Sequence, residues 1–169
     1  MTLKFSDGAQ DKPAIFLAQF RCKKDPWLTP DSCAQWAVKL GYGGVQIPAW
    51  DDGLIDLARA AQSKDYCQNV AMRPFTDAKL AITHLANHIH GQCVAINPTL
   101  LPLFECFAPE GLAGNLSAIS EWAVGQMKLT VLASANMGLK TVFAFPGSFA
   151  WPFVYPWPQR PQVLIAAAM

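Results

Sequence analysis

Residues 41–51, GYGGVQIPAWD, constrain the fold more than any other part of the chain. Their glycines turn the chain from a helical pattern into a short apolar run. An aromatic residue and a carboxylate, Trp50 and Asp51, follow that run directly. One unit of a parallel β/α fold typically has this order of features: the end of a helix, a tight turn, a buried strand and polar residues at the end of that strand.

The same alternation continues on both sides of this segment. Apolar runs predict three further strands, at residues 14–20, 81–88 and 139–145. Helical patterns lie between the strands, at residues 30–40, 51–61, 65–73 and 115–136. Strands that alternate with helices predict an α/β fold with a parallel sheet and outer helices. A doubly wound sheet usually has a glycine-rich turn after its first strand, and residues 20–25, FRCKKD, contain no glycine.

The length limits how much of such a fold is present. A complete (β/α) barrel has eight units and typically about 250 residues. The chain has 169 residues, and its pattern stops after the fourth strand and the loop that follows it. We therefore expect a single truncated barrel domain over residues 1–169, the N-terminal half of a partial TIM (β/α) barrel with about four βα units.

Composition excludes several classes of protein. Hydrophobic residues make up 52% of the chain and charged residues 15%, so a packed core is expected. The net charge of +1 argues against a nucleic-acid partner or an acidic membrane surface. The uncharged residues 141–159 contain four prolines, which argue against a membrane helix. No secretory signal is read in residues 1–13, and five cysteines without CxxC spacing predict free thiols in a cytoplasmic protein.

Several segments resemble the sugar phosphate isomerase/epimerase family, whose fold is the xylose-isomerase-like barrel. The segments are FLAQF (16–20), GYGGVQIPAWD (41–51), SKDYC (63–67), FAPEGLAGN (107–115), EWAVGQMKL (121–129) and YPWPQRP (155–161). They span nearly the whole chain in the family's order. The resemblance implies that a full-length relative interconverts keto and aldo sugars or sugar phosphates, or epimerises them next to a carbonyl.

The resemblance also implies a divalent metal ion of the Mn²⁺ or Mg²⁺ type as cofactor, which polarises the substrate's carbonyl group. Relatives hold this ion with two glutamates, an aspartate and a histidine on later strands of the barrel. Those strands are not among the four predicted here. No residue of this chain is therefore expected to be a metal ligand, and the chain alone is expected neither to bind the metal tightly nor to be active.

The end of the second strand carries two candidate substrate-binding residues, because reacting groups of β/α barrels lie at the carboxyl ends of the strands. Trp50 is a candidate for stacking on a sugar face, and Asp51 for a hydrogen bond to a sugar hydroxyl. The alternative is structural: Trp50 seals the barrel rim, and Asp51 or Asp52 caps the following helix.

The predicted third strand places residues 82, 84, 86 and 88 on one face, with His88 at its end. Residues 87–92, NHIHGQ, correspond to the family's Thr-His-Leu-Gln-Gly-Gln motif. The resemblance makes His88 the candidate catalytic residue, and Gln92 a candidate for positioning substrate; the alternative for His88 is a hydrogen-bonded rim histidine. A zinc site on the histidines is not expected, because His84 and His88 would lie about 13 Å apart along a strand.

Two long loops complete the prediction. Residues 90–114 contain three prolines and are expected to form one loop. Residues 147–161 are rich in proline and aromatic residues. There Trp151 is a candidate wall of the substrate site, and Arg160 a candidate for binding a phosphate or carboxylate. The alternative for both is packing.

Three other interpretations stay open beside the isomerase half. The chain is alternatively a non-catalytic remnant, or a half-barrel that self-associates through its open sheet edges, since unpaired edge strands tend to find partners. Apurinic-site endonucleases share the barrel and use several metal-binding histidines. The near-neutral charge and the missing ligands make that class the weaker alternative.

Overall fold

The fold is seen in a computed structural model that describes residues 12–147. Four parallel strands form one sheet in the order β1-β2-β3-β4. They are β1 (Ala14–Phe16), β2 (Gly44–Pro48), β3 (Ala81–Asn87) and β4 (Val142–Ala144). Consecutive strands are neighbours throughout, as in successive units of a barrel, whereas a doubly wound sheet reverses its order at a switch point. The predicted α/β class is confirmed, and the sheet is compatible with a partial βα barrel.

Helices connect the strands. They are α1 (Pro30–Lys39), α2 (Leu57–Gln62), α3 (Lys64–Tyr66), α4 (Arg73–Asp77), α5 (His88–Gln92), α6 (Leu101–Phe104) and α7 (Leu116–Asn136). A π-helical turn covers Cys67–Ala71, and 3₁₀ turns cover Pro98–Leu100, Glu105–Phe107 and Glu110–Leu112. Within residues 12–147, no helix has both the length and the apolar character needed to cross a membrane.

The described residues belong to two compact units. The first comprises residues 12–87 and 129–143, and the second comprises residues 88–128 and 144–147. In the first unit, one face of the sheet packs against helices. Its buried core includes Ile15, Val45, Ile47 and Leu85 from the strands and Cys33, Ala37, Phe75 and Ala133 from the helices, together with Met137, which directly follows α7.

Helix α1 begins and ends where the sequence predicts. Thr29 accepts a hydrogen bond at its Oγ1 from the Ser32 backbone N–H at 3.2 Å, and Pro30 occupies the first turn. Gly41 follows the C-cap with φ of 88°, the left-handed conformation that favours glycine. Leu40 is 58% exposed, because it is the C-cap residue and the helical periodicity ends before it.

The predicted start of the next helix was wrong. Neither Asp51 nor Asp52 caps it; α2 begins after Asp56, whose Oδ1 accepts a hydrogen bond from the Arg59 N–H at 2.9 Å. The helical pattern predicted at residues 65–73 does not end there: Pro74 lies in the first turn of α4. Proline suits that position because a first-turn N–H has no partner within the helix.

Strand β3 departs from simple alternation. Val45 pairs with Ile82 but the next residue, Gln46, pairs with His84, so Thr83 is an extra residue in the ladder. The Thr83 hydroxyl donates to the Val45 carbonyl at 3.1 Å. Ile82 packs against the core, whereas His84 lies on the opposite face; the predicted common face for residues 82 and 84 was therefore wrong because of this bulge.

The second compact unit has its own core, of which the predicted loop at residues 90–114 is a part. These residues form short helical turns that bury Cys93, Ile96, Leu100 and Phe104 against Ile119 and Ala123. Asn97 caps one turn, its Oδ1 accepting from the Thr99 N–H at 3.1 Å, and Pro98 and Pro102 lie in first turns. These prolines start helical turns, which is why reading them as loop residues was wrong.

Candidate functional site

Asp51, which follows β2 in the first compact unit, forms an ion pair that the sequence did not reveal. The guanidinium of Arg21 donates from Nε to Asp51 Oδ2 at 2.7 Å and from Nη2 to Oδ1 at 3.2 Å. The two side chains are 14% and 19% exposed. Oδ1 also accepts a hydrogen bond from the Gly53 N–H at 3.0 Å. The carboxylate is thus held by three donors in a mostly buried position.

Arg21 binds more than this carboxylate. Its Nη1 donates to the Trp27 carbonyl, and to the Leu28 carbonyl at 2.9 Å. The hydrogen bond to Asp51 raises the pKa of Arg21, against the opposing effect of burial, so the guanidinium stays charged. Arg21 therefore joins the segment after β1 to the segment after β2. No local sequence signal marks this pair, because the partners are 30 positions apart.

Trp50 lies beside Asp51 and contacts the end of β1. Its ring meets that of Phe16 edge to face, with centroids 6.1 Å apart and an interplanar angle of 78°. Such edge-to-face pairs are favourable beyond simple burial. The contact holds the indole at the carboxyl end of the sheet, the position from which a barrel residue reaches substrate.

A row of side chains crosses the sheet on the face opposite the helices. Phe16 pairs with Gln46, and Gln46 pairs with His84. The His84 ring then stacks on Phe143 of β4, with centroids 4.6 Å apart and an interplanar angle of 28°. Burial lowers the pKa of His84, so its ring is neutral at pH 7.

His88 does not end the third strand as predicted. Strand β3 ends at Asn87, and His88 is the first residue of α5, in the second compact unit. Its ring lies parallel to that of Phe145, with centroids 4.1 Å apart and an interplanar angle of 14°. The catalytic role of His88 stays a prediction.

Two more polar side chains of α5 are enclosed in the second unit. Gln92 is 4% exposed, and its Oε1 has no hydrogen-bond partner among the described residues. His90 packs edge-on against Trp122 with centroids 4.7 Å apart, and its Nδ1 likewise lacks a partner within residues 12–147. Burial lowers the pKa of His90 to about 4, so it is neutral at pH 7. Sequence reasoning considered His90 only as a metal ligand and missed this neutral, enclosed ring.

Asn87, at the end of β3, is fully buried in the first unit. Its Nδ2 donates to Thr130 Oγ1 on α7 at 2.8 Å, and its Oδ1 has no hydrogen-bond partner among the described residues. Buried amides are costly unless paired, so the bond to Thr130 fixes where α7 lies against β3. The sequence showed no sign of this contact.

The remaining predicted residues add no further chemistry in the described part of the chain. Trp151 and Arg160, predicted to bind substrate, lie outside residues 12–147. Within that range, no three histidine, cysteine, aspartate or glutamate side chains group together to hold a metal ion. All five cysteines are free thiols, and burial raises the pKa of Cys93 to about 12, which makes it a poor nucleophile.

The chain was compared with known proteins. No protein-family model matches it, and no curated protein sequence matches it. The resemblance to the sugar phosphate isomerase/epimerase family therefore comes from the sequence motifs alone.

Proposed function

We propose that this chain provides the first four βα units of a metal-dependent sugar or sugar phosphate isomerase/epimerase, and that it is inactive without the units that carry the metal ligands. The observation that carries the proposal is the strand order β1-β2-β3-β4, in which every strand lies beside the next in sequence. Such an order supports a barrel rather than a doubly wound sheet.

The side chains after β2 support the same interpretation. Trp50 and Asp51 follow the carboxyl end of a parallel strand, where barrel enzymes place their substrates. In the proposed role, the indole of Trp50 packs on the apolar face of a sugar ring. Asp51, held in place by Arg21, accepts a hydrogen bond from a sugar hydroxyl through a lone pair that its three donors leave available.

Four further residues have proposed roles that come from the sequence alone. His88 binds a substrate oxygen or transfers a proton near neutral pH, and Gln92 positions the substrate through its amide. Trp151 and Arg160 keep their proposed roles as site wall and phosphate ligand. The described residues hold no ligand set for Mn²⁺ or Mg²⁺, so no step is assigned to a metal ion on this chain. The unpaired thiols support a cytoplasmic location as part of the proposal.

A binding experiment tests the proposed substrate site. We expect millimolar ketose or ketose phosphate to shift the indole ¹H–¹⁵N signal of Trp50 and the ring signals of His88 in the purified chain. The indole signal of Trp36 serves as an internal control, because that ring packs against Phe20 and Trp27. Unchanged Trp50 and His88 signals throughout the titration would contradict the proposed site.

An activity measurement tests the proposal that this chain is inactive without the units that carry the metal ligands. The purified 169-residue chain is expected to show no isomerase or epimerase turnover with Mn²⁺ or Mg²⁺ across a panel of aldoses, ketoses and their phosphates. The DNA that flanks the coding region is expected to encode strands with glutamate, aspartate and histidine at their carboxyl ends. Turnover by the purified chain would show that the later units are not needed and would overturn this proposal, and flanking DNA without such strands would favour the alternative of a non-catalytic remnant.

A further inference from the structure

Strand β3 and helix α7 carry the buried amide and hydroxyl side chains of the first compact unit. Asn87 is the last residue of β3, and Thr130 and Ser134 lie on α7. Asn87 and Thr130 are fully buried, and Ser134 is 3% exposed. Over the described residues of this unit, no charged side chain is buried to this degree. The contact between β3 and α7 is therefore polar but uncharged at these positions.

One end of the Asn87 amide has a partner and the other does not. Its Nδ2 donates to Thr130 Oγ1 at 2.8 Å, whereas its Oδ1 has no hydrogen-bond partner within residues 12–147. Turning the amide over would not change this balance, because an N–H group would then be unpaired in place of the oxygen. A buried amide oxygen costs free energy unless some group donates to it. Asn87 Oδ1 therefore marks a position where a hydrogen-bond donor is expected.

Ser134 supplies a second buried polar atom, one helical turn after the residue that binds the amide. Its Oγ also has no hydrogen-bond partner in the part of the chain that the structure describes. Residues four apart share a helix face, with Cβ atoms about 5–6 Å apart, so Ser134 follows Thr130 on the side of α7 that meets Asn87. One water molecule bridges two oxygen atoms up to about 5.6 Å apart, since each O–H···O distance is about 2.8 Å. The turn spacing of α7 therefore suits a single bridging molecule.

The two atoms define the chemistry of what binds them. Asn87 Oδ1 only accepts hydrogen bonds, whereas the Ser134 hydroxyl both donates and accepts. A cation would lose its hydration here without gaining a counter-charge, and an apolar molecule would leave both atoms unpaired. Water donates to the amide oxygen, pairs with the hydroxyl and is small enough to be enclosed. We propose that one water molecule binds between Asn87 Oδ1 and Ser134 Oγ as a permanent part of the first unit. This inference does not depend on the proposed function.

The bound water gives α7 a second polar link to β3. The first link is the direct hydrogen bond between Asn87 and Thr130, and the second joins Asn87 to Ser134 through the water. A bridging water is nearly as favourable in enthalpy as a direct hydrogen bond. Because the two links lie one turn apart on α7, together they fix the rotation of the helix about its own axis as well as its distance from the strand.

Water–protein NOE and ROE spectra of the wild-type chain test the site directly. We expect the side-chain amide protons of Asn87 to show a contact with water whose NOE has the sign of a long-lived bound molecule. The ROE distinguishes this contact from chemical exchange. The side-chain amide of Asn136 is the internal control, because it donates to the Ala60 and Ala61 carbonyls at 2.9 and 3.0 Å. No long-lived water contact is expected there.

A pair of matched variants tests the role of Ser134. Ser134→Ala removes one partner of the water, and Ser117→Ala makes the same substitution at an exposed position of α7. Both gain the higher helix propensity of alanine, so their difference isolates the buried hydroxyl. We expect Ser134→Ala to raise the equilibrium constant of unfolding about 3–10-fold relative to Ser117→Ala, the factor that corresponds to one lost hydrogen bond. The water contact of Asn87 is expected to weaken in Ser134→Ala alone.

Three outcomes overturn the proposal. The first is a wild-type chain without a long-lived water contact at Asn87, a result that does not depend on how any variant folds. The second is Ser134→Ala that is as stable as Ser117→Ala or more stable, because removing a hydroxyl that binds nothing relieves the cost of its burial. The third is a water contact at Asn87 that persists unchanged in Ser134→Ala, which would exclude Ser134 as the second partner.

Discussion

Arg21 and Asp51 lie 30 positions apart in the chain, yet two hydrogen bonds join their side chains at the carboxyl ends of neighbouring strands. Strand β1 has only three residues, so few backbone hydrogen bonds fix its register with β2. The Arg21–Asp51 pair adds a side-chain link between the segments that follow these two strands. It also means that a substrate-binding role for Asp51 would depend on Arg21.

Asp51→Ala is expected to destabilise the fold by about 2 kcal/mol, because it leaves the mostly buried guanidinium of Arg21 without its carboxylate. Asp77→Ala is the matched control. It removes the partner of Arg73 in a pair whose side chains are both 70% exposed, so a change below about 0.5 kcal/mol is expected. Urea unfolding of both variants measures the difference. Equal effects would show that the buried pair contributes no more than an exposed one.

Two glycine substitutions are expected to change stability in opposite directions. A Cβ at Gly44 would lie 3.0 Å from the Ala81 carbonyl oxygen and 3.3 Å from Ala14 Cβ, so Gly44→Ala is expected to push β2 away from its neighbours and cost about 1–2 kcal/mol. A Cβ at Gly125, inside α7, would meet nothing within 4 Å. Gly125→Ala is expected to stabilise by about 0.5–1 kcal/mol, since alanine favours helix. Thermal unfolding that moves both variants in one direction would contradict this.

The enclosed ring of His90 predicts a dependence of stability on pH. Its pKa is about 4 in the folded chain and 6.5 as a free side chain, so the unfolded state binds more protons between these values. Its contribution to stability is therefore complete above pH 6.5 and is lost as the pH falls towards 4. Allowing for partial exposure of the ring, we expect the wild-type chain to lose about 1–2 kcal/mol more than His90→Phe between pH 7 and 4.5.

Urea unfolding at several pH values, with an NMR titration of the His90 ring, measures this difference. His84, whose pKa burial also lowers, contributes with the same sign in both proteins and cancels from the comparison. A His90 ring that titrates near 6.5 would refute the prediction, whatever the unfolding data show.

The bond between Asn87 and Thr130 predicts a non-additive pair. Thr130→Val removes the acceptor of a fully buried amide and is expected to cost about 1–3 kcal/mol. Asn87→Leu removes the amide that donates to Thr130 Oγ1, and a cost of similar size is expected. The double variant is expected to be more stable than the sum of the two single effects predicts, because each single variant already loses the same hydrogen bond. If the two changes in the free energy of unfolding simply add in a double-mutant cycle, the hydrogen bond between Asn87 and Thr130 contributes no coupling free energy.

The parts of the fold that local chemistry determines were predictable. Thr29, Pro30 and Gly41 mark both ends of α1, and Asn115 begins α7 by accepting from the Ala118 N–H at 3.0 Å. The order of apolar runs gave four parallel strands. Each of these signals lies within a few residues of the element that it defines.

The parts that depend on distant partners were not predictable. Arg21 is one of several basic residues in a polar loop, and only the position of β2 selects it for Asp51. The helical turns at residues 98–112 depend on burying Leu100 and Phe104 against α7, and their prolines indicated a loop when taken alone. The site was therefore predicted as separate residues near strand ends, without the contacts that hold them.

The extra residue at Thr83 bears on how this chain should be aligned with any other. Deleting Thr83 would leave Ile82 on the core side and His84 on the face opposite the helices, in simple alternation, because the two already pair with the consecutive residues Val45 and Gln46. A one-residue alignment gap at Thr83 therefore keeps every other residue of β3 on its correct face. A gap elsewhere in β3 would assign part of the strand to the opposite face. An alignment that runs through this strand without that gap assigns the wrong face to every residue on one side of position 83.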